Sequence, residues 1–398
     1  MLIAVVLSGS LAAGHAAERV LKIGVLTDMS SLYADGAGPG SVAAARLAVE
    51  DFNPAAKGMR VEILAADHQN KPDVGASIAN RWFDVDQVNV IVDVPNSAVA
   101  LAVSEIARQK NRLFIASGAA TSDLTGPRCN ANTIHWTYDT WNLANTVGQA
   151  VVKNGGDTWF FITVDYAFGL ALERETSAVV EANGGTVLGH VRHPLNTGDF
   201  SSYLLQARAS GAKVIGIANA GGDFTNAVRQ ASEFGIVQGG QNLAGLLVTA
   251  VDVQALGLPA AQGLLLTENW YWDLNEESRA WTKRWQAMRP NKVPTMLHAG
   301  VYGAVTHYLK AVEALNAEED DDGQAVATIM KKMPTNDPLF GQGLVRADGR
   351  KIHDSYLFEV KTPEESRSSD DLYKVRSVLP AAEAFRPLNA GGCPLSAG

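Results

Sequence analysis

VDVPNSAVALAVSEIARQKNRLFIASGAATSDLT, residues 92–125, is the stretch whose reading decides the fold. Two short apolar strands, 88–92 and 113–116, each run into a small, hydroxyl-rich loop. Pro95-Asn96-Ser97 opens a helix over 98–110, and Ser117-Gly118-Ala119-Ala120-Thr121 leads into a turn at 122–124. Strand–loop–helix repeats of this kind build a parallel sheet, and ligands bind beyond the carboxyl ends of its strands. Loops of Ser, Ala, Gly and Thr at that edge let backbone N–H groups and hydroxyls approach a small anion such as a carboxylate. No side chain there has the character of a nucleophile, a base or a metal ligand. The site is built to hold something rather than to change it.

Outward from this stretch the same pattern repeats. Strands at 20–27 and 61–65 alternate with an alanine-rich helix within 36–53, whose Ala44, Leu47, Ala48 and Phe52 recur at helical spacing, and with a helix at 74–84. A second run follows His135-Trp136-Thr137-Tyr138: helices at 142–154, 169–183, 200–209 and 225–234, with strands at 158–164, 186–191, 214–218 and 246–249. The fold class is therefore α/β, with two doubly wound parallel-sheet lobes. After 263–267, helices at 276–289 and 296–314 read as additions to the first lobe, and 346–361 as a hairpin turning at Asp348-Gly349.

The chain of 398 residues is too long for one ordinary core, and 46% apolar with 19% charged residues fits a folded protein of two domains. A net charge of -9 argues against nucleic acid and anionic membrane surfaces as partners. The acidic run Glu318-Glu319-Asp320-Asp321-Asp322 reads as a solvated loop or helix end. Residues 2–13 are apolar, and Gly14-His15-Ala16-Ala17 offers small residues where a signal peptidase cuts, so 1–17 reads as a signal peptide cleaved near Ala16-Ala17 and the protein as exported to the periplasm. Two cysteines in an exported chain, Cys129 and Cys393, suggest one disulfide that pins the C-terminal tail to the loop after Thr125. Neither has a CxxC partner or a nearby His pair, so no metal site is expected, and no cofactor.

At this point the chain resembles a known family. KIGVLTD at 22–28, the LAVEDFN ending of 40–53, SGAATSDLT at 117–125, DYAFG at 165–169, VRQASEFG at 228–235 and HAGVYGAV at 298–305 are similar, in order and spacing, to periplasmic solute-binding proteins of the branched-chain amino acid and amide type that feed ATP-driven (ABC) importers. The resemblance implies two lobes, 18–138 with 268–340 and 139–267 with 341–398, joined by a three-segment hinge and closing on a small carboxylate. It also implies membrane permease subunits as partners and a monomer. In the family the positions of Ser97, Ala119, Ala120 and Thr121 hold the ligand carboxylate, with Asn96 in the same loop; helix capping is the competing reading for Ser97 and Thr121. The acid that pairs with an amino-acid ammonium is absent from Leu247-Val248-Thr249-Ala250, and none follows before Asp252. An aromatic residue matching near Ala37 is missing, and Asn219, Ala220 and Gly221 stand where a tyrosine is expected. A neutral, enlarged pocket disfavours an unpaired ammonium.

Tyr33, Trp136, Tyr166, Phe168, Trp270, Tyr271 and Trp272 fall near the expected cleft and suit a flat phenolic acid, although Trp136, Trp270 and Trp272 also fit hinge or core roles. Thr249 completes the pocket. His298 reads either as a ligand donor or, more simply, as a satisfied buried histidine, and Asp165 as a helix cap. The competing functions are a ligand-binding sensor for a signalling partner, a binder of a branched-chain amino acid or amide, and an exported enzyme. Against the last, GxSxG, HExxH and CxxC are all absent, and Asp165, His190, His193 and Asp199 have the spacing of no reaction class.

Overall fold

A computed structural model describes residues 19–315 and 319–396; the signal-peptide expectation for 1–17 lies outside them. The first lobe is a five-stranded parallel sheet of β1 (Arg19–Thr27), β2 (Met59–Asp67), β3 (Val90–Asp93), β4 (Leu113–Ala116) and β5 (Thr133–His135), in the order β2-β1-β3-β4-β5. Helices α1 (Gly38–Phe52), α2 (Pro72–Asp84) and α3 (Ser97–Gln109) connect the strands. β3 and β4 are buried at every residue, because helices cover both faces of the sheet.

The second lobe opens with α4 (Thr140–Leu143), a π-helical segment (Ala144–Gly148) and α5 (Gln149–Lys153). Its four-stranded parallel sheet has the order β7-β6-β8-β9. The strands are β6 (Thr158–Val164), β7 (Thr186–His193), β8 (Val214–Ala218) and β9 (Asn242–Gly245), alternating with α6 (Ala167–Ala182), α7 (Ser201–Ala209) and α8 (Gly222–Glu233). The last strand was expected at 246–249. The observed β9 ends at Gly245, so 246–249 is instead the loop at the carboxyl edge, and α9 (Ala250–Leu256) and α10 (Leu258–Ala261) follow it.

From β10 (Leu265–Glu268) the chain returns to the first lobe, where α11 (Glu276–Met288) and α12 (Met296–Glu313) pack on α1, and α13 (Gly323–Lys332) packs on β4. It then forms a small antiparallel sheet of β11 (Thr335–Asp337), β12 (Gly341–Val345) and β13 (Lys351–Ile352). β14 (Ser355–Val360) pairs with β10 and with β15 (Tyr373–Leu379), and a short α14 (Ala381–Ala384) begins the tail. The turn at Asp348-Gly349 is present, but the hairpin expected over 346–361 is not. β12 and β13 flank that turn, and 355–360 leaves to join β10. The chain thus crosses between the lobes three times, around 136–140, around 269–275 and through 333–354.

The acidic run is not simply solvated. Asp320 is buried and paired with Arg19, Asp321 pairs with Arg112, and the Asp322 carboxylate caps α13 by accepting from the Gln324 and Ala325 amides at 3.0 and 2.9 Å. Together these fasten α13 to the amino ends of β1 and β4. No helix among the described residues is long and apolar enough to cross a membrane.

Candidate ligand-binding site

A cavity of about 270 Å³ lies between the lobes at the carboxyl edges of both sheets. One wall comes from the first lobe: Ser31, Leu32, Tyr33, Asp35 and Gly36 from the loop after β1, with Pro95, Gly118, Ala120, Tyr138 and Leu297. The other comes from the second: Tyr166 and Phe168 at the start of α6, Ala220 to Gly222 and Thr225 at the start of α8, and Leu247, Thr249, Val251 and Asp252 around the start of α9. Four aromatic rings, with Leu32, Leu247, Val251 and Leu297, make most of this wall apolar.

The lobes touch across the cavity. The Tyr33 and Tyr166 hydroxyls share a hydrogen bond of 2.7 Å, and the Gly222 amide donates to the Leu32 carbonyl at 3.4 Å. Gly221 has φ +60°, and a Cβ there would lie 2.4 Å from the Leu32 oxygen, so this approach requires glycine. The loop bearing Leu32 and Tyr33 is organised by one carboxylate. Asp28 accepts from the amides of Ser30, Ser31 and Tyr33 at 3.2, 2.9 and 2.9 Å, and from Ser31 Oγ and Asn70 Nδ2 at 2.7 Å each.

The loop after β4 has its carbonyls fully committed to the first hinge segment. The Trp136 amide donates to Ala116 O, Thr137 Oγ1 to Ser117 O, the Tyr138 hydroxyl to Gly118 O and the Thr140 amide to Ala120 O, at 2.7–2.8 Å. His135 Nε2 meets Ala119 O at 2.7 Å. Of its amides, Gly118 donates to Asp93 O at 3.1 Å and Thr121 to Ser97 Oγ at 3.1 Å, so what this loop can still offer a ligand is the N–H groups of Ala119 and Ala120. Beneath it, Asp93 and Val94 have φ values of 80° and 57°, strained for non-glycine residues and most of all for a β-branched valine. Asp93 is wholly buried beside Thr27 and Ser41, and burial pushes its carboxyl up to about 7. A Cβ at Gly118 would come 2.5 Å from Asp93 Oδ1, which explains the glycine in the cavity wall.

Of the residues singled out from sequence, Tyr33, Ala120, Tyr166, Phe168, Ala220, Gly221 and Thr249 stand in the wall. Ser97, Ala119 and Thr121 are wholly buried behind it, and Ser97 Oγ accepts the Thr121 amide at 3.1 Å. They fix the loop rather than face the cavity. Asn96 is the cap of α3, its Oδ1 accepting from Ala98 and Val99 at 3.0 and 3.1 Å, so capping falls to Asn96 and not to Ser97. Asn219 is buried against His193 Nε2 at 3.0 Å. Trp270 is core, its Nε1 donating to Ser278 Oγ at 2.9 Å. His298 is structural: Nδ1 accepts the Thr295 amide at 3.0 Å, Nε2 meets Ala37 O at 2.8 Å, and burial lowers its pKa to about 4. Trp136 is buried as well, and Trp272 donates to Asp370 O at 2.8 Å.

Tyr138 and Asp252 were not assigned to the site from sequence. Asp252 corrects the expectation that no acid reaches the pocket. With β9 ending four residues earlier, Asp252 falls in the first turn of α9, on the wall. Its Oδ2 accepts from the Thr249 amide and Oγ1 at 2.8 Å each, and burial raises its carboxyl to about 6. Among the described residues no group of three or more His, Cys, Asp or Glu is placed to hold a metal ion.

Residues 20–367 match the family described as periplasmic binding protein. The chain belongs to the periplasmic binding protein family. It is 47% identical to a periplasmic binding protein from Burkholderia mallei whose crystal structure superposes with a TM-score of 0.91, covering 95% of this chain and 99% of that one. It is 25% identical to a Leu/Ile/Val-binding protein homolog from Brucella melitensis, over 82% of this chain and 87% of that protein. A solute-binding protein from R. palustris, solved in complex with benzoate, shares the fold at 20% identity, with a TM-score of 0.81 over 94% of this chain and all (100%) of that one.

Proposed function

We propose that this protein is the extracytoplasmic solute-binding component of an ABC importer, and that it captures a small aromatic carboxylic acid by closing its lobes, of residues 18–138 with 268–340 and 139–267 with 341–398. The observation that carries this reading is the division of labour in the cavity wall. Tyr33, Tyr138, Tyr166 and Phe168 supply ring faces for a flat apolar body. A carboxylate meets donors at one part of the wall: the loop at 117–121 has spent its carbonyls on residues 135–140, and α6 and α8 open on the cavity with no side-chain cap, whereas Asp35 and Asp252 stand elsewhere in the lining. Uncapped helix starts favour an anion by about 0.3–1 kcal/mol each, more where partly buried. Burying a ring adds roughly 25 cal/mol per Å² of apolar surface. The R. palustris neighbour, solved in complex with benzoate, supports this reading.

A second reading, an α-amino acid, is favoured by Asp252, which offers an ammonium the counter-charge that the sequence alone did not reveal. The Leu/Ile/Val-binding name of the Brucella relative points the same way. A thermal-shift screen decides between them, since a ligand that binds only the folded protein raises its Tm by mass action. Stabilisation by benzoate and 4-hydroxybenzoate, and not by leucine, isoleucine or valine, is the expected result; the reverse pattern overturns the aromatic reading and leaves the amino-acid one.

A further inference from the structure

After β15 the chain does not end on the second lobe. α14 lies against α4 and the neighbouring π-helical segment, where Asn142 Nδ2 donates to Ala384 O at 2.8 Å and Asn145 Nδ2 to Glu383 O at 3.0 Å. The tail next runs over the third hinge segment. Phe385 is buried under the Arg350 guanidinium, 4.7 Å from its ring, and 5.3 Å from the His353 ring. Arg346 Nη1 donates to Arg386 O at 2.7 Å. Arg386 then reaches both lobes: its Nη2 donates to Ser122 O at 3.3 Å in the first, and its Nη1 lies 3.7 Å from Glu175 in the second. Ser122 and Glu175 are also hydrogen-bonded to each other across the junction. Finally Cys393 is bonded to Cys129, on the first lobe between β4 and β5, with Cα atoms 5.6 Å apart.

We propose that residues 380–396 form a disulfide-anchored strap, a fourth link between the lobes that biases the hinge toward the closed arrangement. Nothing in the three crossings requires it. One guanidinium between two lobes holds little by itself, because its contact with Glu175, at 3.7 Å, is long for an ion pair and its bond to Ser122 O, at 3.3 Å, is long for a hydrogen bond. The covalent anchor changes that arithmetic. It keeps Arg386 at high effective concentration beside Ser122 and Glu175, so the bridge reforms at every closure. Its loss therefore shifts the open–closed population rather than only the folding equilibrium.

The test uses the unliganded protein and needs no knowledge of the solute. Small-angle scattering is compared for the oxidised protein, for Cys129→Ser/Cys393→Ser, and for Arg386→Ala, which keeps the bond. A larger radius of gyration in both variants, with unchanged far-UV circular dichroism, is the expected result. Superimposable scattering of the oxidised protein and the folded cysteine variant overturns the proposal. Should the cysteine variant not fold, Arg386→Ala decides, and a curve identical to wild type overturns it. Failure here leaves the ligand reading intact, because that reading is judged by thermal shift alone.

Discussion

Asp252 is the side chain on the cavity wall whose charge separates the two ligand classes. Its carboxyl titrates at about 6 in the fold against 3.8 ordinarily, because burial outweighs the Thr249 hydrogen bonds. A raised carboxyl favours the protonated form in the native state, so this group's stabilising effect is complete below its unfolded value and is lost as pH rises through about 6. At about 1.4 kcal/mol per pKa unit the loss approaches 3 kcal/mol. Asp252→Asn should make the fall of urea stability between about pH 4 and 6 shallower, with Asp223, also near 6, and Asp93, near 7, keeping the rest of the slope. Ligand affinity carries the sign that matters. An aromatic carboxylate should bind more weakly as Asp252 ionises, an ammonium more strongly, and Asn should remove either trend. Isothermal titration calorimetry with benzoate and with leucine at pH 5 and 8 reads both. Ser97 gives a second residue-scale prediction. Ser97→Ala strands the buried Thr121 amide and should cost about 1–3 kcal/mol of unfolding free energy. Unchanged urea stability would show that the amide has found another acceptor.

Among the elements, the loop after β1 carries Leu32 and Tyr33 to their contacts with the second lobe. Its shape rests on Asp28, which draws in three amides, a hydroxyl and an asparagine; their hydrogen bonds hold its pKa below the ordinary value despite the opposing burial. Asp28→Ala should loosen residues 29–34 and speed amide exchange there by tens-fold or more, at roughly 1.5–3 kcal/mol per charge-assisted bond lost, while β1 itself stays protected. Equal protection of that loop in the variant would refute the role. The acidic run works at the same scale. Asp322→Ala removes the cap of α13 and should cost about 1 kcal/mol in thermal or urea unfolding, an effect a purely solvated loop would not show.

For the whole molecule, the Cys129–Cys393 bond joins positions 264 apart in sequence. Closing so long a loop stabilises the fold by roughly 3–5 kcal/mol on the chain-entropy account. Cys129→Ser/Cys393→Ser should lower urea stability by that order, and thiol titration of the denatured, unreduced wild type should find no free thiol. Two free thiols would exclude the bond.

The α/β repeat was legible because buried or largely buried parallel strands such as 113–116 and 158–164 are mainly apolar runs bounded by turn residues, and local pattern alone identifies them. The disulfide partners were legible by number, there being two cysteines. β9 was misplaced because Asn242–Gly245 carries little apolar signal while the following Leu-Leu-Val mimics a strand. The site was harder still. Its residues come from segments as distant as Ser31 and Leu297, and hydrogen bonding, which sequence does not display, decides which of two neighbours faces the cavity. Ser97 and Thr121 spend their polar groups on the loop, Asn96 and His298 on helix starts, and Asp252 reaches the wall through a four-residue shift in where a strand stops. The sequence by itself determined two parallel-sheet lobes and the sheet edge where the cavity lies, because both follow from local periodicity. Only the tertiary structure decided which side chains meet there, since that depends on partners brought together by packing rather than by order along the chain.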